Sequence, residues 1–195
     1  MRRLILASAS PRRSQLLSEA GINFDVQISG VDESYDSFER PEEVAEGLSL
    51  RKARAVAALL QGQDALVLGA DTVVALSVEG AWRLLGKPAG AVEAEEMLSQ
   101  LSGSKHAVIT GVSVIDAATA AELTSSECTW VTMREITPLE VRGYVSSGEW
   151  KDKAGGYAIQ ESADAFVSSL EGGGFDNVVG LPIGLVRRLL RASGR

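Results

Sequence analysis

An aspartate inside an apolar run is the first candidate for chemistry in this sequence of 195 residues. Asp71 lies within Ala65–Leu76, whose other members are almost all small or aliphatic. Burying a carboxylate costs free energy unless a partner compensates its charge, so such groups mark ion pairs or functional sites. We interpret Asp71 as a metal ligand or a general base. The structural alternative is a carboxylate at a strand end or a bulge.

Lysines at predicted element ends could supply the opposite charge. Lys52 falls on the apolar stripe of a predicted helix, four residues after Leu48 and four before Val56. Its ammonium could reach a strand carboxylate, or the side chain could extend to solvent. Lys87, between a glycine and a proline, and Lys153, before a pair of glycines, fall in predicted loops. Ligands of α/β folds bind at such element ends.

A Ser-Pro-Arg-Arg segment predicts a helix start. Ser10 is suited to the N-cap, where its hydroxyl could accept a backbone hydrogen bond, and Pro11 suits the first helical position. Arg12 and Arg13 then fall in the first turn, where free N–H groups and the helix dipole are already positive. An anion such as phosphate would resolve this electrostatic conflict.

Carboxylates and cations together favour a polyphosphate ligand with a divalent ion. Glu33 and its neighbour Asp32 lie in an acidic loop, and one of them could join Asp71 in an oxygen-rich Mg²⁺ or Mn²⁺ site. The sequence contains neither a Walker A motif nor a complete GxGxxG at the start of a βαβ unit. Any phosphate would therefore be held by a different arrangement.

Composition excludes several classes of function. The net charge of −7 argues against a nucleic-acid binder or a membrane-surface protein. Cys128 is the only cysteine, which excludes an intrachain disulfide and the usual zinc sites. His106, the only histidine, is expected to be structural rather than part of a Cys–His pair. The N-terminal apolar stretch is too short for a signal peptide, so we expect a cytoplasmic protein.

Periodicity predicts an α/β fold in which helices flank a mixed, twisted sheet, with residues 1–195 forming one domain. The predicted strands are Arg3–Ser8, Phe24–Ser29, Ala65–Leu76, Ala81–Leu85, His106–Ile115, Ser126–Ile136, Gly155–Gln160 and Ala165–Leu170. Helices are predicted after Pro11, from Pro41 to Leu60, from Val92 to Leu101, from Pro138 to Ser146 and from Pro182 to Leu190. A capping box marks the fourth helix, with Thr137 before the proline and Glu140 three residues later.

Six short motifs spread along the chain match those of one protein family. In order they are Ser8-Ala-Ser10-Pro11-Arg12-Arg13, Lys52-Ala53, Gly69-Ala-Asp71-Thr72-Val73-Val74, Gly86-Lys87-Pro88, Asp152-Lys153-Ala154-Gly155 and Asn177-Val-Val-Gly-Leu-Pro182. This collinear set resembles the Maf family of nucleoside triphosphate pyrophosphatases, also called septum formation inhibitor Maf. The resemblance implies a fold similar to that of the inosine triphosphate pyrophosphatases.

The resemblance further implies hydrolysis of a nucleoside triphosphate to the monophosphate and pyrophosphate. It implies a divalent cation (Mg²⁺, Mn²⁺ or Co²⁺) and a homodimer. Asp71 matches the family's catalytic aspartate, and Glu33 and Lys52 complete the expected catalytic set. Asp71 and Glu33 are also the expected metal ligands, and the sequence leaves open which of these two carboxylates acts as the base. The other positions expected to bind phosphate or substrate are Ser8, Ser10, Arg13, Lys87 and Lys153.

Three further positions divide the family by specificity, and here they are Arg12, Thr72 and Gln160. This combination resembles the branch that hydrolyses dTTP and UTP, whereas the branch acting on 7-methyl-GTP tends to have Trp, Gln and Glu. The Gln160 amide offers both a donor and an acceptor, which match N3–H and O4 of uracil or thymine.

Three alternatives remain at this point. The chain could act on 7-methyl-GTP or another modified nucleotide. It could instead be a non-enzymatic regulator of cell division, as the family's older name suggests. A nucleic-acid binder is disfavoured by the net charge and by the lack of an aromatic stacking series.

Overall fold

A mixed seven-stranded sheet organises residues 2–34 and 40–195, which are the residues that this computed structural model describes. The strands are β1 (Arg3–Leu6), β2 (Asp25–Val26), β3 (Ala65–Val78), β4 (Ala81–Leu85), β5 (Lys105–Asp116), β6 (Glu122–Met133) and β7 (Val167–Glu171). The helices are α1 (Pro11–Glu19), α2 (Pro41–Leu59), α3 (Ala91–Leu101), α4 (Pro138–Ser147), α5 (Phe175–Val179) and α6 (Ile183–Ala192). Two 3-10 segments, Ala154–Gly156 and Ser162–Phe166, precede β7.

The strand order is β2-β1-β3-β5-β6-β7, and β4 pairs with β3 outside this path. β1 runs parallel to both β2 and β3, while every other pair is antiparallel. Helix-connected strands can pair in parallel, whereas hairpins must pair antiparallel. The predicted mixed α/β fold is therefore confirmed.

Successive side chains of β1 and β3 project to opposite faces of the sheet, where they pack against two different layers of helices. Leu4 and Leu6 pack with residues of α1 and α6 on one face, while Ile5 packs with residues of α2 on the other. On β3, Leu66 and Leu68 face the α1 and α6 layer. Because side chains alternate with period two, Asp71 and Thr72 point to opposite faces of the same strand.

Several predicted elements differ from the observed ones. The strand predicted at Gly155–Gln160 is wrong, because Gly155 and Gly156 both have a φ of 70° and form a 3-10 turn. The strand predicted at Phe24–Ser29 is reduced to Asp25–Val26. α5 was not predicted as a separate helix. The capping box of α4 is confirmed, since Thr137 Oγ accepts from the Glu140 N–H and Glu140 bonds the Thr137 N–H.

Ser10 occupies the N-cap position of α1, but its hydroxyl makes no capping hydrogen bond. The Ser10 N–H instead donates to Ser8 Oγ at 3.2 Å. The prediction of a side-chain cap at Ser10 was therefore wrong, although the helix begins at Pro11 as expected.

Candidate functional site

A cleft of about 740 Å³ lies where the β1–α1 loop, the middle of β3 and several loops meet. The eleven residues that the family resemblance implies all line it, whereas Asp32, the alternative to Glu33, does not. The β1–α1 loop and α1 supply Ser8, Ser10, Arg12 and Arg13, and the acidic loop and α2 supply Glu33 and Lys52. Asp71 and Thr72 come from β3, and Lys87, Lys153 and Gln160 come from later loops.

A glycine brings α2 close enough for Lys52 to reach Asp71. A Cβ added at Gly69 would lie 2.9 Å from the Ala53 Cβ and closer still to the Ser49 carbonyl oxygen, so only glycine allows this approach. Lys52 and Asp71 are 6% and 8% exposed, and the Lys52 ammonium donates directly to the Asp71 carboxylate. The buried carboxylate is therefore paired rather than isolated.

Four charged groups form a continuous chain across the cleft. Lys52 Nζ also lies 2.7 Å from Glu33 Oε1, and Lys87 Nζ lies 2.8 Å from Glu33 Oε2. The charges therefore alternate from Asp71 through Lys52 and Glu33 to Lys87. Each carboxylate faces at least one ammonium, which removes most of the repulsion between like charges at close range.

The Glu33 carboxyl titrates far below its ordinary range. Partial burial raises its pKa, but the hydrogen bonds from Lys52 and Lys87 outweigh that effect and lower the pKa from 4.5 to about 2. The side chain is 43% exposed, so solvent screens part of this interaction.

The lowered pKa of Glu33 predicts a pH-dependent contribution to stability. Because the folded-state pKa lies below the unfolded value, the ion pairs of Glu33 stabilise the fold fully above about pH 4.5 and lose their effect as the pH falls towards 2. The difference in free energy of unfolding between the wild type and Glu33→Gln should therefore shrink on acidification. Urea denaturation at a series of pH values measures it. A difference that does not change with pH would contradict this account.

On the opposite face of β3, Arg13 is held by three neutral acceptors. Its guanidinium donates to the Gly180 carbonyl at 2.8 Å, to Ser8 Oγ at 3.2 Å and to Thr72 Oγ1 at 3.3 Å. Burial lowers the pKa of Arg13 from its ordinary value. The Ser8 hydroxyl also accepts from the Ser10 N–H, so the Arg13 guanidinium is held close to the N-terminus of α1, and the conflict expected between them remains.

The other candidate residues differ in their exposure to solvent and in their hydrogen-bond partners. Lys153 is 9% exposed, and its ammonium donates to the Glu149 carbonyl and to Glu161 Oε2, the latter at 3.1 Å. Arg12 is half-buried at the start of α1, and Gln160 is exposed on the loop that follows the 3-10 turn. The pairing of Lys153 with Glu149 and Glu161 was not predicted, because the turn at Gly155–Gly156 between Lys153 and Glu161 was not recognised in the sequence.

Two buried threonines, Thr110 and Thr129, were not predicted from the sequence. Thr110 of β5 lies opposite Thr72 in the strand register, and its hydroxyl is 2.9 Å from the Thr72 hydroxyl. Thr129 of β6 accepts a hydrogen bond from the Asn177 side-chain amide at 2.8 Å. Threonine is common in strands, so only the three-dimensional register distinguishes these residues.

The donor set at the cleft fits a hard divalent cation. Across residues 2–34 and 40–195, no three or more His, Cys, Asp or Glu side chains are grouped so as to hold a metal ion. Asp71 and Glu33 provide carboxylate oxygens on either side of the Lys52 ammonium. Mg²⁺ and Mn²⁺ are commonly bound by one or two carboxylates plus oxygens of a phosphate ligand. These two residues would therefore hold the ion together with an anionic ligand.

His106 is buried in the core beside the cleft wall. Its Nε2 lies 2.8 Å from the Tyr157 hydroxyl, and burial lowers its pKa to about 4. Cys128 is half-buried on β6, where burial raises the pKa of its thiol. A neutral structural histidine, as predicted, fits this environment.

Of the helices in the described part of the chain, none has the length and apolar character that a membrane span requires.

Comparison with known proteins identifies one matching family, several curated relatives and a solved structure. The family described as "Maf-like protein" matches residues 3–193. The dTTP/UTP pyrophosphatase of Pelotomaculum thermopropionicum is 46% identical over 194 residues, covering 100% of this chain and 98% of that protein. The dTTP/UTP pyrophosphatase of Moorella thermoacetica is 48% identical over 194 residues, covering 100% of this chain and 96% of that protein. A solved structure of a HAM1 protein from Coxiella burnetii matches with a TM-score of 0.46 and 16% identity, over 68% of this chain and 73% of that chain.

Proposed function

The chain belongs to the Maf family, and from this premise we propose that it hydrolyses dTTP and UTP to the monophosphate and pyrophosphate. The observation that supports this most strongly is the cleft itself, in which a buried carboxylate paired with a lysine lies among residues suited to a triphosphate. The names of the relatives specify the nucleotides.

A release assay tests the proposal. The purified chain, given dTTP or UTP with Mg²⁺, Mn²⁺ or Co²⁺, should release pyrophosphate and the nucleoside monophosphate. Release of orthophosphate would indicate cleavage at the wrong bond. No release from any nucleotide would instead favour the non-enzymatic role in cell division.

Binding of the triphosphate follows from the charges around the cleft. The first N–H groups of α1 have no partner within the helix, and Arg13 lies in the same first turn. Lys87 and Lys153 add charge from the opposite loops. We expect these groups to bind the phosphate chain, and the Ser10 hydroxyl, which makes no cap bond, to donate to it.

The hydrolytic step needs a group that takes a proton from water. In the proposed reaction, water forms a bond to the α-phosphorus, the bond from that phosphorus to the bridging oxygen breaks, and pyrophosphate departs. Asp71 accepts the proton, and its hydrogen bond from Lys52 fixes the orientation of the carboxylate. Arginine and lysine side chains stabilise the charge that develops on the phosphoryl oxygens and the leaving group.

A divalent ion is part of the proposal. Asp71 and Glu33 would hold it, and it would supply Lewis-acid polarisation of the phosphate oxygens. Lys52, which bonds both carboxylates, would hold them in place beside the ion.

Gln160 provides a test of base selection. Replacing Gln160 with Glu removes the amide donor, so the ratio of kcat/KM for UTP to that for 7-methyl-GTP should fall by at least about tenfold. The guanine N1–H and amino groups are donors that a carboxylate can accept, whereas O4 of uracil needs a donor. Turnover of both nucleotides measures the ratio.

Gln100→Glu is the matched control, because Gln100 pairs with Arg83 outside the cleft. An unchanged ratio in Gln160→Glu would show that Gln160 does not contact the base.

A further inference from the structure

Thr110 pairs with Thr72 across β3 and β5, so the two side chains lie side by side on one face of the sheet, and Thr110 has no exposure to solvent. Thr110 Oγ1 is 2.9 Å from Thr72 Oγ1 and 2.9 Å from the backbone carbonyl oxygen of Asn177. Thr72 in turn lines the cleft and accepts from the Arg13 guanidinium at 3.3 Å. Four groups therefore form one hydrogen-bonded series, and each hydroxyl in it has only one proton.

The directions of these hydrogen bonds follow from the Asn177 carbonyl. A carbonyl oxygen can only accept, so Thr110 donates its single proton to Asn177. Thr110 can then meet Thr72 only as an acceptor, so the proton of Thr72 points towards Thr110 on β5. Arg13 donates to one lone pair of Thr72. Towards the cleft, Thr72 therefore presents only its remaining lone pair.

We propose that Thr110 is a positioning residue for base selection, because it directs the Thr72 proton towards its own hydroxyl and leaves Thr72 as an acceptor for an N–H group of the nucleotide base. The proposal rests on the function proposed above, since it takes a pyrimidine nucleotide as the ligand. Ionised phosphate oxygens are acceptors and cannot pair with an acceptor. A group of the nucleotide that bonds Thr72 directly must therefore be a donor of the base or the sugar.

The pyrimidine ring supplies a donor that distinguishes two otherwise similar nucleotides. Uracil and thymine have an N–H at ring position N3, whereas cytosine has a lone pair there. With the Gln160 amide donating to O4, an acceptor-only Thr72 would accept from the N3–H of uracil or thymine and would face a lone pair in cytosine. UTP and CTP have the same sugar and the same phosphate chain, so their ratio isolates the base.

Thr110→Val tests the proposal with little change in shape. The valine cannot accept from Thr72, so the Thr72 proton can turn towards the cleft. The Asn177 carbonyl still accepts from the Gly180 N–H at 3.0 Å, which avoids leaving it unpaired. The ratio of kcat/KM for UTP to that for CTP should fall about tenfold in this variant. Thr110→Ser, which keeps the hydroxyl, should retain the wild-type ratio.

A binding measurement separates this proposal from the proposed function. The affinities of the wild type and of both variants for α,β-methylene analogues of UTP and CTP should show the same change in ratio, whether or not the chain hydrolyses nucleotides. A wild type that binds the UTP analogue but releases no pyrophosphate from UTP would contradict the proposed function only. Equal losses for UTP and CTP in Thr110→Val, with a cooperative unfolding transition retained, would overturn the role of Thr110.

Discussion

Replacing Asp71 with Asn is expected to lower kcat for dTTP and UTP by about 10³-fold while leaving the fold intact. The amide takes no proton from water and offers no negative charge to a divalent ion. The Asn side-chain oxygen can still accept from Lys52, and Lys52 keeps Glu33 at 2.7 Å, so no buried charge is left without a partner. Steady-state turnover and urea denaturation of the same preparation measure the two effects.

Asp25→Asn is the matched control for this substitution. Asp25 is also a carboxylate paired with a cation, Arg3, but it is exposed on β2 and outside the cleft. Its turnover should stay near that of the wild type. Near-normal pyrophosphate release by Asp71→Asn would remove Asp71 from the catalytic role.

Gly69→Ala is expected to have the largest effect on stability. The added Cβ would lie 2.9 Å from both the Cβ and the backbone nitrogen of Ala53, so β3 and α2 must separate. Overpacking of this kind typically costs about 1–3 kcal/mol of free energy of unfolding. The same separation moves Lys52 away from Asp71, so kcat should fall even where the variant is fully folded.

Gly47→Ala, on the helix α2 that packs against Gly69, serves as the comparison. Nothing lies within 4 Å of a Cβ built there, so this variant should gain about 0.5–1 kcal/mol from the better helix propensity of alanine. Denaturant unfolding of both variants gives the two signs. A Gly69→Ala variant as stable as the wild type would show that the contact between β3 and α2 is not tight.

The sequence predicts the cleft better than it predicts the contacts within the cleft. Asp71 could be found because a carboxylate in an apolar strand needs a partner, and Lys52 because a lysine on an apolar helical stripe is unusual. Their pairing depends on Gly69, whose small size permits the approach of α2. The sequence pattern identified both members of this ion pair, and the structure brings them together through the close contact at Gly69.

Other features depend on long-range register or on turn geometry that periodicity does not reveal. Tyr157, Ala158 and Ile159 are apolar, which suggested a strand. All three are buried, but the two preceding glycines have positive φ and form a turn. Thr110 meets Thr72 only because the register of β3 and β5 places them opposite each other. A single sequence gives no direct measure of that register.

Hydrolysis of UTP in water labelled with heavy oxygen tests the central claim most directly. Mass spectrometry of the products shows which phosphorus the water attacked. If the cleft directs water to the α-phosphorus, the label will appear in UMP and the pyrophosphate will contain none beyond background. Label in the pyrophosphate, or the formation of UDP and orthophosphate, would contradict the proposed reaction.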